Sequence, residues 1–405
     1  MAHSFSNKHI VIAVTGGIAA YKVAGWASSL VKEQAVVDVV MTEAAKQFIS
    51  PLTFSSLTGR AVFDDMFTAE RSGRISHISL GREADCLLVA PATANTIAHL
   101  AGGQADNLVT TSILAATIPI IVCPAMNVKM YEHRATRNNI ALLREYGYEI
   151  VEPETGAMAC GDFGPGRLPT WEIVSKYVLR ILTDSTLAGH HVLVTAGPTR
   201  EHLDPARYLS NRSSGKMGYA LALEAFYRGA AVTLISGPTT LPSFPGIELV
   251  EVETAQEMHD TVMSRYQQSS IIIKGAAVAD FRAKHQSAQK IKKQDATYVV
   301  ELEPTADILA ELGRRCDMNH QILIGFAAES ENLESEARRK LVQKNCHLIA
   351  VNSIVSPSTG FGADTNQVTL VHKKGATPLP LTSKEKTAEL MFDYIEDHFL
   401  PLQTG

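Results

Sequence analysis

The chain is poor in the features that mark secreted, zinc-stapled and membrane proteins. Its 405 residues include five cysteines, widely spaced and without a CxxC pair, which argues against a disulfide framework or a structural zinc site. No apolar run approaches the roughly 20 residues of a membrane-spanning helix, and the apolar stretch near the N-terminus is too short for a signal peptide. These absences predict a protein of the cytoplasm with no membrane partner.

A strong charge of one sign is also missing. The 37 Lys and Arg residues face 42 Asp and Glu residues, for a formal net charge of -5, and the basic residues are scattered. A nucleic-acid partner is therefore not expected. With 45% apolar and 20% charged residues, the composition is that of a globular protein, and the length predicts two or three domains.

Two strand-turn-helix openings organise the sequence. KHIVIAV at residues 8–14 stops at a Thr-Gly-Gly turn, and HHVLVT at residues 190–195 stops at an Ala-Gly-Pro turn. Strand and helix patterns alternate after each opening, with strands at residues 36–41 and 231–236 and helices at residues 43–48 and 171–182 among them. This alternation predicts mostly parallel sheets flanked by helices. We therefore expect an α/β protein of two Rossmann-like domains, residues 1–187 and 188–405.

Neither opening has the dinucleotide-binding fingerprint. GxGxxG is absent from both turns, and so is the acidic residue expected roughly 20 positions later. A pyridine-nucleotide oxidoreductase is thus the weaker alternative. Because a Gly-Gly turn can also serve without any ligand, the function has to be inferred from the rest of each domain.

Several segments of the first half lie where predicted strands end, the place at which open α/β sheets bind ligands. They are TGGIAAYK (15–22), MTEAAKQF (41–48), SHISLGREAD (76–85), APATANTIAHLAGGQADNL (90–108), PAMNVKM (124–130) and ACGDFGPGR (159–167). In this order they resemble the flavin-dependent phosphopantothenoylcysteine decarboxylases over essentially all of residues 8–180. The resemblance implies an FMN cofactor and a role in coenzyme A biosynthesis.

The strand ends carry residue types that suit a flavin. Backbone N–H groups of a glycine turn at a helix N-terminus suit a phosphate, and small polar side chains suit the ribityl chain or ring. The resemblance assigns FMN binding to Gly16, Gly17, Ile18, Thr42, Thr93 and Asn95. Taken alone, Thr42 or Asn95 would more commonly cap a helix.

Catalytic candidates lie in the same motifs. His77 has a side chain suited to proton transfer near pH 7, although a lone histidine is more often structural. Asn127 would bond the substrate carboxylate or cap the helix after it. Cys160 lies in a glycine-rich loop that we expect to be a mobile flap. The resemblance implies that the flavin oxidises the substrate thiol and carbon dioxide leaves, after which the reduced flavin returns a hydride and Cys160 supplies a proton. Arg167 is assigned to the substrate.

The second half carries its own motifs. TAGPTREHLDPARYLSNRSSGKMG spans residues 195–218, AAVADF 276–281, KIKK 290–293 and GFAAE 325–329. In order and spacing they resemble the CTP-using phosphopantothenate–cysteine ligases of bacteria. The resemblance implies that cysteine is joined to phosphopantothenate through an acyl-cytidylate. Mg²⁺ would arrive with the triphosphate, and no dedicated metal site is expected.

Candidate ligase residues have chemistry that fits these roles. Hydroxyls, N–H groups and an ammonium ahead of a helix suit the phosphate of phosphopantothenate, which points to Ser213, Ser214, Gly215 and Lys216. The resemblance assigns Asn211 to the acyl-cytidylate and Lys290 to the charge that develops in the reaction. It assigns CTP to Asp280, Lys290, Asp307, Ile308, Phe326, Lys340 and Lys344. Seen alone, these lysines would be solvated surface charge.

Two features of the second half stand apart from this pattern. Thr305 and Ala306 occupy positions where the ligase family commonly has Asn-Pro, so the nucleotide contacts of that turn are left open. Lys274 ends an otherwise apolar strand, and nothing in the sequence accounts for a charge there.

The resemblance also bears on assembly. It implies a homo-oligomer, a dodecamer that combines trimers of the first domain with dimers of the second, with the flavin bound between subunits. A non-catalytic flavin-binding regulatory protein is the remaining alternative. The joint presence of His77, Asn127, Cys160, Asn211 and Lys290 argues against it.

Overall fold

The computed structural model describes residues 3–66, 76–159, 161–292, 299–329, 331–353 and 362–400. The chain divides into two compact units, one of His3–Thr183 and one that contains Asp184–Gly405. Each unit is built around its own sheet. Within the described residues, no helix is long and apolar enough to cross a membrane.

The first unit alternates strands and helices along the chain. Its elements are β1 (His9–Val14), α1 (Ala20–Lys32), β2 (Val36–Met41), α2 (Pro51–Thr58), β3 (Val62–Phe63), α3 (Ser76–Arg82), β4 (Cys86–Ala92), α4 (Ala94–Ala101), α5 (Leu108–Leu114), β5 (Ile120–Pro124), α6 (Val128–Glu132), α7 (Arg134–Glu145), β6 (Glu149–Ile150), β7 (Glu154–Ala157), β8 (Phe163–Arg167) and α8 (Trp171–Leu182).

Six of these strands form a parallel sheet in the order β3-β2-β1-β4-β5-β6. Its central strands read as continuous apolar runs because both faces are covered, and every residue of β4 is buried. The strand order reverses between β1 and β4. At such a point the loops after the two strands diverge and leave a crevice at the carboxyl edge of the sheet.

The second unit has the same alternation with additional short strands. Its elements are β9 (His191–Ala196), β10 (Arg200–Asp204), β11 (Arg207–Ser210), α9 (Lys216–Tyr227), β12 (Ala231–Ser236), β13 (Glu248–Glu251), α10 (Ala255–Arg265), β14 (Ile271–Lys274), β15 (Phe281–Ala283), β16 (Leu302–Pro304), α11 (Ile308–Arg315), β17 (Ile322–Glu329), α12 (Leu333–Gln343), β18 (Leu348–Ser353), β19 (Thr365–Asn366), β20 (Val368–His372), β21 (Gly375–Pro378), β22 (Thr382–Ser383) and α13 (Lys384–Phe399).

Eight strands of this unit form a sheet in the order β13-β12-β9-β14-β17-β18-β20-β21. The pairs from β13 to β18 are parallel, and β20 and β21 add an antiparallel edge. The order reverses between β9 and β14, which places a second crevice at the carboxyl edge of this sheet. The predicted fold class, α/β with two mostly parallel sheets, is confirmed.

One predicted helix is wrong. Residues 43–48 form only a 3-10 turn at Ala45–Gln47. Pro51 starts α2, and Ser50 before it is extended, as residues before proline usually are, so a helix from residue 43 cannot continue. Ala44 also packs directly against Gly16, which fixes the turn in place.

Candidate active sites in the two units

A cavity of about 930 Å³ opens at the carboxyl edge of the first unit's sheet, where the strand order reverses. Segments that follow β1, β2, β4 and β5 line it, together with β7 and β8. The structure brings together here the predicted residues Gly16, Gly17, Ile18, Thr42, Thr93, Asn95, Asn127 and Arg167. This is the part of an open α/β sheet that ordinarily binds a ligand.

The Gly-Gly turn after β1 has a steric reason for its first glycine. A Cβ on Gly16 would lie 2.4 Å from the Cβ of Ala44, so only glycine allows the two loops to meet. The turn runs directly into the start of α1. Within the described residues, no hydrogen-bond partner was found for the backbone N–H groups of Ile18 and Ala19. Such groups at a helix N-terminus form a site for an anion.

Thr15 joins the two strand ends that flank this cavity. Its hydroxyl donates to the carbonyl of Pro91 at 2.5 Å and accepts the N–H of Thr93 at 3.2 Å. The side chain is fully buried. The sequence motif alone does not predict this role of Thr15, although a hydroxyl at the end of a buried apolar strand needs a hydrogen-bond partner.

Two other threonines, Thr42 and Thr93, line the cavity and also cap helical turns. Thr93 accepts the N–H of Thr96 at 3.2 Å at the start of α4, and Thr42 accepts the N–H of Ala45 at 3.2 Å. Capping uses an oxygen lone pair, so the Thr42 hydroxyl can still donate a hydrogen bond. The capping interpretation and the cavity interpretation are therefore compatible at these positions.

Asn127 and Arg167 are held in place by the β7–β8 hairpin. Asn127 accepts the N–H of Lys129 at 2.8 Å as the cap of α6, and its amide donates to Asp162 at 2.7 Å. A Cβ on Gly156 would lie 2.4 Å from a guanidinium nitrogen of Arg167. A Cβ on Gly166, whose φ is +141°, would lie 2.3 Å from the carbonyl of Met126. Close packing against backbone therefore requires glycine at position 166, whereas at position 156 the flexible Arg167 side chain is the neighbour that would have to move.

Two catalytic candidates are not placed in this cavity. His77 is half-buried on α3 and is absent from the described residues that line it. Cys160 lies outside the described residues, so the expected flap over the site stays a prediction. Lys22, by contrast, lines the cavity and was missed, although it ends the TGGIAAYK motif one helical turn from the glycines.

The second unit has a cavity of about 730 Å³ at the equivalent edge of its sheet. It gathers the predicted residues Asn211, Ser213, Ser214, Gly215, Lys216, Asp280, Asp307, Ile308, Phe326, Lys340 and Lys344. Five lysines and two aspartates are among the described residues that line it. That excess of positive charge suits an anionic ligand.

The loop between β11 and α9 is shaped by two glycines. Gly215 has a φ of +78° as the residue before α9, and a Cβ there would lie 2.7 Å from Thr239. A Cβ on Gly218 would lie 2.5 Å from the Cβ of Ala196. The start of α9 therefore lies directly against the end of β9, and Ser213, Ser214 and Lys216 line the cavity beside it.

Asn211 is anchored to the segment that follows β14. Its amide nitrogen donates to the carbonyls of Ala277 and Val278, each at 3.1 Å. No partner of its amide oxygen was found in the described part of the chain. Thr199, which is fully buried, accepts the N–H of Ala279 at 2.9 Å and holds the same segment.

Asp307 links the nucleotide candidates of α11 and α12. One oxygen caps α11 by accepting the N–H of Ala310 at 2.9 Å, and the other pairs with Lys344. Burial alone would raise the pKa of this carboxyl, but the hydrogen bond from Lys344 and the capping N–H lower it below the usual value. Lys340 pairs with Glu329 at 2.6 Å.

The turn that departs from the ligase pattern has its own contacts. Thr305 donates its hydroxyl to the carbonyl of Ala279 at 2.6 Å, and its N–H to the carbonyl of Asp280 at 2.9 Å. Thr305 therefore ties the turn before α11 to the segment that carries Asp280. Thr305 and Ala306 both line the cavity.

Lys290 is not brought into the cavity with the other candidates. It is exposed and absent from the described lining, and residues 293–298, with Lys293 of the KIKK motif, lie outside the described residues. Its neighbour Ile291 is anchored, because the N–H of Ile291 donates to the buried Asp204 at 3.1 Å. The role of Lys290 stays a prediction.

Among the described residues, no group of three or more His, Cys, Asp or Glu side chains could hold a metal ion.

Comparisons with known proteins agree with the division of the chain. Residues 2–183 match the family model described as Flavoprotein, and residues 187–399 match the DNA/pantothenate metabolism flavoprotein C-terminal domain. The coenzyme A biosynthesis bifunctional protein CoaBC of Bacillus subtilis is 46% identical over 406 residues, which cover 99% of each chain. The chain belongs to this family.

Other members of the CoaBC family are similar over the same length. The protein of Vibrio cholerae is 43% identical and covers 97% of this chain and 99% of its own. The protein of Escherichia coli is 43% identical and covers 97% of each. The family resemblance inferred from the motifs is thus confirmed.

Proposed function

We propose that the chain is a bifunctional enzyme of coenzyme A biosynthesis. It ligates cysteine to 4′-phosphopantothenate with CTP, and then decarboxylates 4′-phosphopantothenoylcysteine to 4′-phosphopantetheine. The observation that carries the proposal is the pair of cavities, each at the reversal point of a sheet and each lined by the motif residues of one activity. We assign the decarboxylase to residues 1–187 and the ligase to residues 188–405.

In the ligase half, anion-binding groups lie on both sides of one cavity. The Ser213, Ser214 and Gly215 segment with Lys216 would hold the phosphate of phosphopantothenate ahead of α9. Lys340 and Lys344 would bind the triphosphate, and Asp280 and Phe326 the nucleoside. Binding both substrates here brings the carboxylate of one near the α-phosphate of the other.

The reaction needs two displacements. A carboxylate is a poor electrophile, so its oxygen first attacks the α-phosphorus of CTP and pyrophosphate leaves. The cysteine amine then attacks the acyl carbon of the acyl-cytidylate, CMP leaves, and the amine loses a proton. Asn211, anchored at Ala277 and Val278, has an amide to offer this intermediate, and Lys290 would offset charge that develops in the steps. Mg²⁺ would arrive with the triphosphate and be held mainly by its phosphates.

In the decarboxylase half, the residues present fit FMN. The N–H groups of Ile18 and Ala19 form a cradle for its phosphate, and Lys22 adds positive charge beside it. When bound, FMN supplies reversible oxidation of the substrate thiol, which makes loss of the neighbouring carboxylate as carbon dioxide feasible. Asn127 and Arg167 would bind the substrate, and Cys160 would protonate the product after decarboxylation.

The assembly is part of the same proposal. We propose a cytoplasmic homo-oligomer with the flavin site between subunits, and a dodecamer as its full form. His77 is absent from the described lining of its own unit's cavity, and a shared site would let the histidine act in a neighbouring copy. Native mass spectrometry of the active protein measures the size of this assembly. A protein that is monomeric and still decarboxylates at the full rate would contradict the proposed shared site.

The experiment that tests the function uses the purified chain. Phosphopantothenate, cysteine and CTP should yield CMP and pyrophosphate in equal amounts, and the protein should show a flavin absorption spectrum. Omission of cysteine should allow pyrophosphate release but not CMP release. Lack of CTP turnover with all three substrates present would contradict the ligase assignment, and inability to bind FMN would contradict the decarboxylase assignment.

A further inference from the structure

Lys274 is the one lysine of the second unit's cavity that lacks a partner within the described residues. Lys216 pairs with Asp364 at 2.5 Å, and Lys340 pairs with Glu329 at 2.6 Å. The two remaining lysines of the cavity also have partners: Lys344 pairs with Asp307, and Lys384 donates to the carbonyl of Ala363. Neither a hydrogen bond nor an ion pair of Lys274 was found in the described part of the chain, although its side chain lines the same cavity.

The burial of this ammonium is unusual. Lys274 is 8% exposed, at the carboxyl end of the central strand β14. A buried charge without a partner costs free energy, so lysine is rarely kept at such a position. Burial lowers the pKa of Lys274 to about 8, with only Asp307 acting in the opposite direction. The group therefore remains mostly protonated at pH 7 and is available to an anion that enters the cavity.

The face of the sheet on which Lys274 lies indicates which of the two expected anions, CTP or phosphopantothenate, it can reach. Ile272, two residues earlier on β14, belongs to the core cluster that contains Ile308 and Leu312 of α11. Because side chains alternate along a strand, Lys274 lies on the same face. Its neighbour on β17 is Gly325, over which Leu309 of α11 packs.

The phosphopantothenate loop belongs to the opposite face. Gly218 at the start of α9 lies against Ala196 of β9. Leu193, three residues before Ala196, instead belongs to the core cluster that contains Ile308 and Leu312 of α11. Residues an odd number apart on a strand point to opposite faces. Lys274 is thus on the side of Asp307 and Lys344, the candidates for the nucleotide.

We propose that Lys274 is a nucleotide-binding residue of the ligase, and that its ammonium binds a phosphate of CTP. The inference rests on the proposed function, because it takes CTP as the ligand of this cavity. It adds a fourth lysine to those assigned to the nucleotide, and it explains a buried charge that has no partner among the described residues of the strand's surroundings. A buried ammonium without a partner binds a phosphate strongly, because little water has to be displaced from the ammonium when the phosphate binds.

The test measures binding by the full-length protein with calorimetry. Lys274→Met removes the charge and keeps an unbranched side chain of similar size. The Kd for CTP should rise about 10- to 100-fold, the usual scale for a hydrogen bond to a charged group, while the Kd for phosphopantothenate stays unchanged. Lys374→Met, at an exposed position outside the cavity, is the matched control and should bind CTP as the wild type does.

Thermal unfolding separates binding from structure. Without ligand, Lys274→Met should unfold at the same or a higher temperature, because a buried unpaired charge has been replaced by an apolar group. Wild-type affinity for CTP in this variant would overturn the proposal, and so would a lowered unfolding temperature without CTP. Weakened binding of phosphopantothenate instead of CTP would overturn the assignment to the nucleotide. If the wild type itself failed to bind CTP, the proposed function would fail.

Discussion

Gly16→Ala should remove the flavin from the protein without unfolding it. The new Cβ would lie 2.4 Å from the Cβ of Ala44 and 2.9 Å from its carbonyl carbon, against the roughly 3.5–4.0 Å of ordinary carbon contact. The β1–α1 turn has to move away, and the N–H groups of Ile18 and Ala19 move with it. Overpacking of this kind costs about 1–3 kcal/mol. Because the apoprotein can relieve this strain by moving the turn and FMN binding has to restore it, the flavin affinity should fall by up to about 5- to 150-fold.

The assay is the flavin content of the purified protein, followed by titration of the apoprotein with FMN. Gly25→Ala is the matched control in α1: nothing lies within 4 Å of a Cβ at that position, so the change should leave flavin binding intact. It should also stabilise the helix by about 0.5–1 kcal/mol. Ligation should be unaffected in both variants, because the ligase residues lie in the other compact unit, which has a sheet of its own. Wild-type FMN affinity in Gly16→Ala would refute the assignment of this turn to the cofactor phosphate.

Further predictions concern the chemistry of both sites. Cys160→Ser should release carbon dioxide but stall at the decarboxylated enethiolate, which still needs a proton and a hydride to become phosphopantetheine, because a hydroxyl is a far weaker acid than a thiol. Normal phosphopantetheine formation, followed by mass spectrometry, would exclude Cys160 as the proton donor. Lys290→Gln should slow ligation at least about 100-fold while decarboxylation of added phosphopantothenoylcysteine continues, and an equal loss of both activities would indicate misassembly. CTP binding should weaken as the pH rises through about 8, because Lys274 then loses its proton while Asp307, whose pKa is lowered, stays ionised beside Lys344. In Lys274→Met this step in the affinity should disappear from calorimetric titrations at pH 7 to 9.

Periodicity and turn chemistry predicted the main strands and helices of both sheets, but not the β7–β8 hairpin or the short strands β10, β11, β15 and β16. The helix expected at residues 171–182 is present as Trp171–Leu182, and the strands at residues 36–41 and 231–236 have the expected bounds. These segments owe their structure to a regular apolar pattern buried on the sheet, which is visible in the sequence. The location of the sites also followed, because ligands of open parallel sheets bind where the strand order reverses.

Features that depend on contacts between distant segments could not be predicted in the same way. A Cβ on Gly166 would meet the carbonyl of Met126, a neighbour that only the folded chain provides, so the steric need for this glycine could not be predicted from the sequence. Gly16 was attributed to phosphate binding, yet its nearest constraint is Ala44. The charge of Lys274 has no explanation in the sequence, because the sequence shows neither the burial of this side chain nor the pairing of the other lysines.

The central claim is that one chain ligates cysteine and then decarboxylates the product. It is tested most directly with cysteine that carries a label in its carboxyl carbon. The purified chain, given phosphopantothenate and CTP, should release that label as carbon dioxide and leave unlabelled phosphopantetheine. Omission of either phosphopantothenate or CTP should stop the release. Labelled carbon dioxide formed without CTP, or ligated product that accumulates with its label intact in the presence of FMN, would contradict the account.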